Sequence, residues 1–228
     1  MSLEPKAGVN RFVWDMRVFR PTLAPKAVFN EGDKSPPRVG PGTYRVRLTV
    51  GSRSFAEDVE VRPHPQGPAT AEDLKAQFDL LSSIRDRLSE THETVLKIRD
   101  ARDTAKDLGE RAQRLGKGDA LKKRAEALGE KLTAVELELT NPEIKADEDD
   151  LNYEPKLDHD LVNLAGIVAS ADRKPTAGSV RMYAELKTRL EAIVAKYQAL
   201  LEKDVAEFNR AVEEARLPRV APAPKIEK

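Results

Sequence analysis

Apolar and polar residues alternate through GVNRFVWDMR at residues 8–17 and again through GPGTYRVRLTV at residues 40–50. A period of two belongs to a half-buried strand. In the first run Phe12, Trp14 and Met16 fall on one side, opposite Arg11, Val13, Asp15 and Arg17. In the second, Tyr44, Val46, Leu48 and Val50 share a side opposite Arg45, Arg47 and Thr49. Gly51-Ser52 fits a two-residue hairpin turn with Gly at its first position, and a third strand is expected from about Arg53 to Val61, with Phe55, Val59 and Val61 inward. Pro41-Gly42 marks a turn just ahead of the second run. The Pro-rich stretch from Val18 to Gly40 reads as a surface excursion rather than core, with an extra edge strand available through Ala27-Val28-Phe29. Three strands with one apolar face need a second layer over that face. Either the helical region supplies it, or strands lying upstream do. The abrupt entry into the first run favours upstream strands and makes Phe12, Trp14 and Met16 the candidate interaction residues.

The period changes after a stiff boundary at Pro63, Pro65, Gly67 and Pro68. Thr70-Ala71-Glu72-Asp73 has the form of a capping box, with Thr70 as N-cap and an acid three residues on. From Leu74 through Phe78, Leu81, Ile84, Leu88, Thr91, Val95, Ile98, Ala101, Ala105, Leu108 and Ala112 to Leu115, apolar or small residues recur in steps of three and four. That is one helical stripe, ended by Gly116 and Gly118. A second helix over about 119–140 carries a stricter heptad seam at Leu121, Ala125, Leu128, Leu132, Val135 and Leu139, and Asn141-Pro142 stops it. After the acidic, irregular EIKADEDDLNYEP, a shorter helix turns Leu157, Leu161, Leu164, Val168 and Ala171 inward. Thr176 is the N-cap expected for a last helix reaching about Arg216 through Val180, Tyr183, Leu186, Leu190, Ile193, Tyr197, Leu200, Phe208 and Ala215. At ~1.5 Å per residue the first and last helices each reach roughly 60–70 Å. The two shorter helices match that length only end to end, which gives three antiparallel rods with a broken middle one; the rival is a four-helix bundle with two overhanging members.

The expected fold class is therefore α+β, predominantly α: a small Ig-like antiparallel β segment followed by an elongated antiparallel helical bundle. The domain boundaries read as a partial β-sandwich segment at 1–64, the bundle at 65–217 and a Pro-rich disordered tail at 218–228. Among 228 residues, 39 Lys and Arg balance 39 Asp and Glu, so the chain lacks the basic excess of a general nucleic-acid binder. Charged residues at 34% and aromatics at 5% fit exposed helices better than a large β core. Cysteine is absent, which excludes disulfides, thiolate nucleophiles and zinc–thiolate sites. No apolar run approaches the roughly 18–20 residues that span a bilayer. MSLEPKAG has no apolar core of the signal-peptide kind, and its Met-Ser-Leu reads as an added leader on an internal segment.

Of the three histidines, His64 reads as a solvated loop residue and His92 as a boundary residue beside the first helical stripe. Asp158, His159 and Asp160 form the most ligand-like cluster, with Asp147, Glu148, Asp149 and Asp150 shortly before it. Together they offer oxygen ligands to a divalent cation or acids to a hydrolase. The bland reading is equally physical: acids at a helix N-terminus complement the macrodipole, and an acidic loop is a solvated loop. No metal-binding, phosphate-binding or nucleophile motif accompanies them. The expected cofactor list is empty, and no catalytic residue is nominated. The basic run Arg111, Arg114, Lys117, Lys122, Lys123 and Arg124 marks the first helix–helix corner, where it either meets an anionic partner or the acidic stretch, or stays solvated.

GVNRFVWDMR, GPGTYRVRLTV, EDLKAQFDLLSSIRDRLSETHETVLKIRD and LDHDLVNLAGIVASADRKPTAGSVRMYAEL together resemble the C-terminal region of bacterial sortilin-like, BNR/WD40-type β-propeller proteins, often labelled glycosyl hydrolases. The strand pair is also similar to the Ig-like repeat of flagellar hook-capping proteins. The resemblance spans roughly residues 6–205 and implies a propeller first, an Ig-like sandwich next and a closing helical bundle. It also implies strands ahead of residue 8 that would cover Phe12, Trp14 and Met16. No Asp-box and no blade repeat occurs in this chain, so the family's hydrolase label finds no residues here to carry it. The expectation is a non-catalytic accessory or interaction module. Its partner would be the upstream propeller and strands, another protein, or a second copy in a homodimer; nucleic acid and membrane are not expected partners. The resemblance leaves room for an exported or periplasmic parent protein. Two alternatives stand beside it: a glycosidase-like or metal-dependent hydrolase using the acidic 147–160 region, and a carbohydrate- or peptide-binding module.

Overall fold

The computed structural model describes residues 4–30, 32–116 and 119–217. Residues 1–3 and 218–228, read in the sequence as a leader and a tail, lie outside the described residues, as do Glu31, Lys117 and Gly118. The architecture is α+β and predominantly helical: a two-stranded antiparallel hairpin followed by an antiparallel bundle.

Strands β1 (Gly42–Val50) and β2 (Arg53–Val61) pair with Val50 opposite Arg53, leaving Gly51 and Ser52 as the turn. Gly51 takes φ 57°, the left-handed conformation that a two-residue hairpin turn demands and glycine supplies. On the polar face Arg45 makes a bidentate pair with Asp58 (2.8 and 3.1 Å), and Thr49 meets Ser54 at 3.2 Å. Residues 9–17 form no strand, which corrects the expectation of three. The Asp15 carboxylate accepts the Arg17 N–H at 3.0 Å and Met16 adopts φ 57°, a local turn that ends the alternation. What remains is a single bridge between Arg17 and Arg38.

The excursion at 18–40, expected on the surface, packs into the bundle. Ala24 and Phe29 are each 5% exposed and belong to the same hydrophobic cluster as the helices. The Asp33 N–H donates to the Val162 carbonyl at 3.0 Å. Two glycines permit this approach: a Cβ on Gly32 would stand 2.5 Å from the Val162 carbonyl oxygen, and one on Gly166 would stand 2.9 Å from Gly32 Cα. No strand forms through Ala27-Val28-Phe29.

Helix α1 (Ala71–Arg114) starts on the capping box read in the sequence: Thr70 Oγ1 accepts the Asp73 N–H and Asp73 accepts the Thr70 N–H, each at 3.1 Å. Helix α2 (Ala120–Leu139) buries all six residues of its heptad seam. Helix α3 (Leu157–Ala169) buries Leu157, Leu161, Leu164 and Val168, while Ala171 lies past its end and is exposed. Helix α4 (Ala177–Leu200) is capped by Thr176, whose side chain accepts the Ser179 N–H. Val180, expected inward, is 50% exposed. The last helix is not uniform: a π turn over Leu201–Val205 separates α4 from α5 (Ala206–Glu214). Tyr197 before the π turn and Phe208 after it are both buried.

Cross-rod contacts fix the topology. Near the start of α1, the Gln77 amide donates to the Val168 and Ala171 carbonyls at the end of α3, both at 2.7 Å. Further along α1, Arg99 and Arg102 reach Glu136 near the end of α2. On the other side, Arg189 meets Asp160, Lys196 meets Glu138, Lys131 meets Asp204 and Arg124 meets Glu207. Helices α2 and α3 therefore lie end to end between α1 and the α4–α5 rod. The three-rod form with a broken middle rod is the one realised.

Candidate functional site

The break in the middle rod brings the sequence-selected acids and histidine to the bundle axis, but not as one cluster. Asp158 is 1% exposed in the first turn of α3. Its Oδ1 accepts the His159 backbone N–H at 2.8 Å and lies 3.0 Å from His159 Nδ1. Its Oδ2 lies 4.0 Å from Nε2 of His92 on α1. His92 is not a boundary residue: it is fully buried. The Phe29 ring closes the group from the side of segment 18–40, with centroids 4.8 Å from His159 and 6.0 Å from His92. Asp160 turns away, two residues on being about 200° around a helix, and pairs with Arg189 at 2.8 Å.

Both ring nitrogens of His92 and Nε2 of His159 are buried without a hydrogen-bond partner among the described residues. Burial holds the His92 imidazole below the ordinary histidine range; Arg99 and His159 act in the same direction, and Asp158 opposes them. The acids at 147–150 stay apart from this group. Asp149 accepts the Lys145 and Ala146 N–H groups, both at 2.8 Å, which stabilises its anion and lowers its pKa. Asp150 receives a bond from Asn30 at 3.4 Å. Among the described residues no group of three or more His, Asp or Glu side chains is arranged to hold a metal ion. Chemically the arrangement orients His159 on a buried carboxylate and seals it under Phe29.

One buried charge escaped the sequence reading. Glu136 is 2% exposed and receives Arg99 Nε and Arg102 Nη1, each at 2.6 Å, with Arg102 also donating to Thr133 Oγ1. Two arginines three residues apart beside Ile98 were the available signal, since both face the flank of the α2 seam. At the basic corner Arg124 finds Glu207 rather than the acidic stretch, and Lys122 donates to Gln113.

The hairpin presents the opposite situation. Directly opposed residues share a face, so Tyr44, Val46, Leu48 and Val50 lie with Val59, Glu57, Phe55 and Arg53. Val46 is 47% exposed, Leu48 51%, Val50 59%, Phe55 57% and Val59 42%. Of the three interaction candidates, Phe12 and Met16 are exposed, while Trp14 is half-buried. Its ring meets Tyr44 edge-on at 5.5 Å and its indole N–H donates to the Arg17 carbonyl at 3.3 Å. The structure thus brings Trp14 to the hairpin base without aligning Phe12 and Met16 into a strand.

Fold and surface together define the class: a three-rod helical bundle carrying an amphipathic β arm. Comparison of the chain with family models, curated proteins and solved structures gives no match. No helix among the described residues is long and apolar enough to cross a membrane.

Proposed function

We propose that the chain is a non-catalytic accessory module that docks a β-rich partner through its hairpin. One observation carries the reading: five large apolar side chains share one face of the hairpin, none of them less than 42% exposed, with only Glu57 and Arg53 interposed opposite Val46 and Val50. A two-stranded hairpin is marginal by itself and gains stability when another layer covers its apolar side. A cluster of exposed large apolar side chains bordered by charged residues marks an interaction site. The occupant that fits is a second β layer, its apolar side toward Leu48 and Phe55. Sandwich strands of a sortilin-like propeller protein are such a layer, and they are the partner to which the sequence resemblance points.

Binding to a separately expressed propeller-plus-sandwich protein of that kind tests the proposal. Hydrogen exchange should show new protection across residues 44–59, and Val46→Ser with Leu48→Ser should abolish it. Unchanged exchange in the hairpin with that partner overturns the reading. Protection that instead rises with the chain's own concentration replaces the β partner with a second copy.

A further inference from the structure

A cavity of about 340 Å³ lies where segment 16–40, the hairpin base, α1 and α3 meet. That volume falls within the roughly 300–1,000 Å³ typical of small-molecule sites. Its deep wall is apolar, with Ile84 and Leu88 buried and Phe78 half-buried. Its outer part is cationic. Arg17, Lys34 and Arg38 line it from one short stretch of chain, and Arg62 and Arg85 add two more cations against the acids Asp33 and Asp172.

The cations are not equivalent. Arg62 is neutralised by Glu60 and Arg85 by Asp86, each at 2.6 Å. Arg17, Lys34 and Arg38 have no carboxylate within ion-pairing distance among the described residues. Arg17 donates instead to the Pro36 carbonyl, and Lys34 stands 5.7 Å from the centroid of the Phe29 ring. Three cations without an ion pair outnumber the two lining acids, Asp33 and Asp172, and a net positive rim beside an apolar wall complements one kind of ligand. We infer that this cavity binds an amphipathic carboxylate, its apolar body against α1 and α3 and its anion at Arg17, Lys34 and Arg38. A guanidinium fork matches a carboxylate in geometry as well as charge.

Trp14 is the chain's single tryptophan and donates to the Arg17 carbonyl, so its fluorescence reports on this corner. Titration of the full chain with submicellar decanoate should give a saturable Trp14 change and a rise in melting temperature. Decanol should bind about tenfold more weakly, and Arg38→Glu should weaken decanoate by about tenfold while Arg38→Lys retains it. Arg38 is an exposed side chain, so unchanged helical circular dichroism is the expected control. Equal binding of decanoate and decanol, undiminished binding to Arg38→Glu, or no saturation overturns the site. Loss of binding in the hairpin variant Leu48→Ser also overturns it, because the ligand would then sit on the hairpin face. These outcomes are independent of whether a β partner docks there.

Discussion

The seam of α2 and the apolar face of the hairpin are built from the same kinds of residue, yet they meet opposite fates. Leu121, Ala125, Leu128, Leu132, Val135 and Leu139 are all 6% exposed or less. Val46, Leu48, Val50, Phe55 and Val59 are all 42% exposed or more. Hydrophobicity does not separate the two sets; the supply of covering surface does. Each helix brings a stripe of its own, so rods cover one another along their length. Two strands bring one face and nothing to lay over it. At about 25 cal/mol per Å² of apolar surface removed from water, the first set holds the bundle together while the second leaves a comparable driving force unspent.

The comparison is sharpened most by truncating the seam at its best-covered point. Leu132 is 0% exposed. Leu132→Ala should lower unfolding stability by about 2–5 kcal/mol, the transfer loss plus the cavity left behind. Urea denaturation followed by helical circular dichroism measures it. A loss below about 1 kcal/mol would mean that the rods are not tightly packed in solution.

Next in size is the segment that crosses from one region to the other. Phe29 caps the His92–Asp158–His159 group, so Phe29→Ala should cost about 3 kcal/mol and expose the two imidazoles to solvent. Gly32→Ala should cost about 2 kcal/mol by a different route, overpacking against the Val162 carbonyl. Gly8, also at positive φ but with nothing within 4 Å of its Cβ position, is the control, and its alanine variant should leave the bundle's midpoint in place. If Phe29→Ala proves neutral, segment 18–40 is an appendage and not a part of the core.

These residues also show what the sequence could and could not convey. The α2 seam, both Thr caps and the hairpin turn were legible because each is set by local period or local chemistry. Phe29 was not, because an isolated aromatic between prolines has no period, and its burial depends on a close approach to α3 that needs Gly166, more than 130 residues away along the chain, as well as the nearby Gly32. His92 sits one residue off the Thr91 stripe position, and a helix interface wider than one stripe buries both. Asp158, His159 and Asp160 are adjacent in sequence, but helical rotation sends the first two inward and the third to Arg189. The strand expected at 8–17 finds no strand to pair with among the described residues: the Asp15 side chain turns the backbone at Met16, and only the Arg17–Arg38 bridge forms. The bare hairpin face was read correctly as a face, whereas its lack of cover is a property of the whole molecule.

The buried histidine turns the contrast into a pH dependence. Burial lowers the proton affinity of His92 in the folded chain, so the unfolded chain binds that proton first as pH falls. Stability from this group is therefore complete above about pH 6.5 and drains away as pH falls from there toward the lower folded-state value, with a slope of at most about 1.4 kcal/mol per pH unit. His92→Leu, of similar volume, should flatten the fall between pH 6.5 and 5 relative to the wild type. Equal slopes in the two proteins would show that His92 is protonated as readily in the bundle as in the unfolded chain. No histidine lies on the hairpin face, so its exchange rates, corrected for intrinsic chemistry, should not change over the same window.

The smallest expected effect is the one that most directly challenges the contrast. Leu48→Thr and Val46→Thr remove apolar surface about half of which is already in water, and threonine has the β-branched shape that suits a strand. Each should change the stability of the isolated chain by no more than about 0.5 kcal/mol. A loss of several kcal/mol could arise only if those side chains were covered in solution. Repeating the denaturation over a range of protein concentrations identifies the cover: a midpoint that climbs with concentration means a second copy sits on the face, because mass action favours the associated folded state. A midpoint independent of concentration, together with a small substitution effect, leaves the face open for a partner of another kind. The size of this effect therefore decides whether the hairpin is an unfinished surface or an interface between copies of the chain.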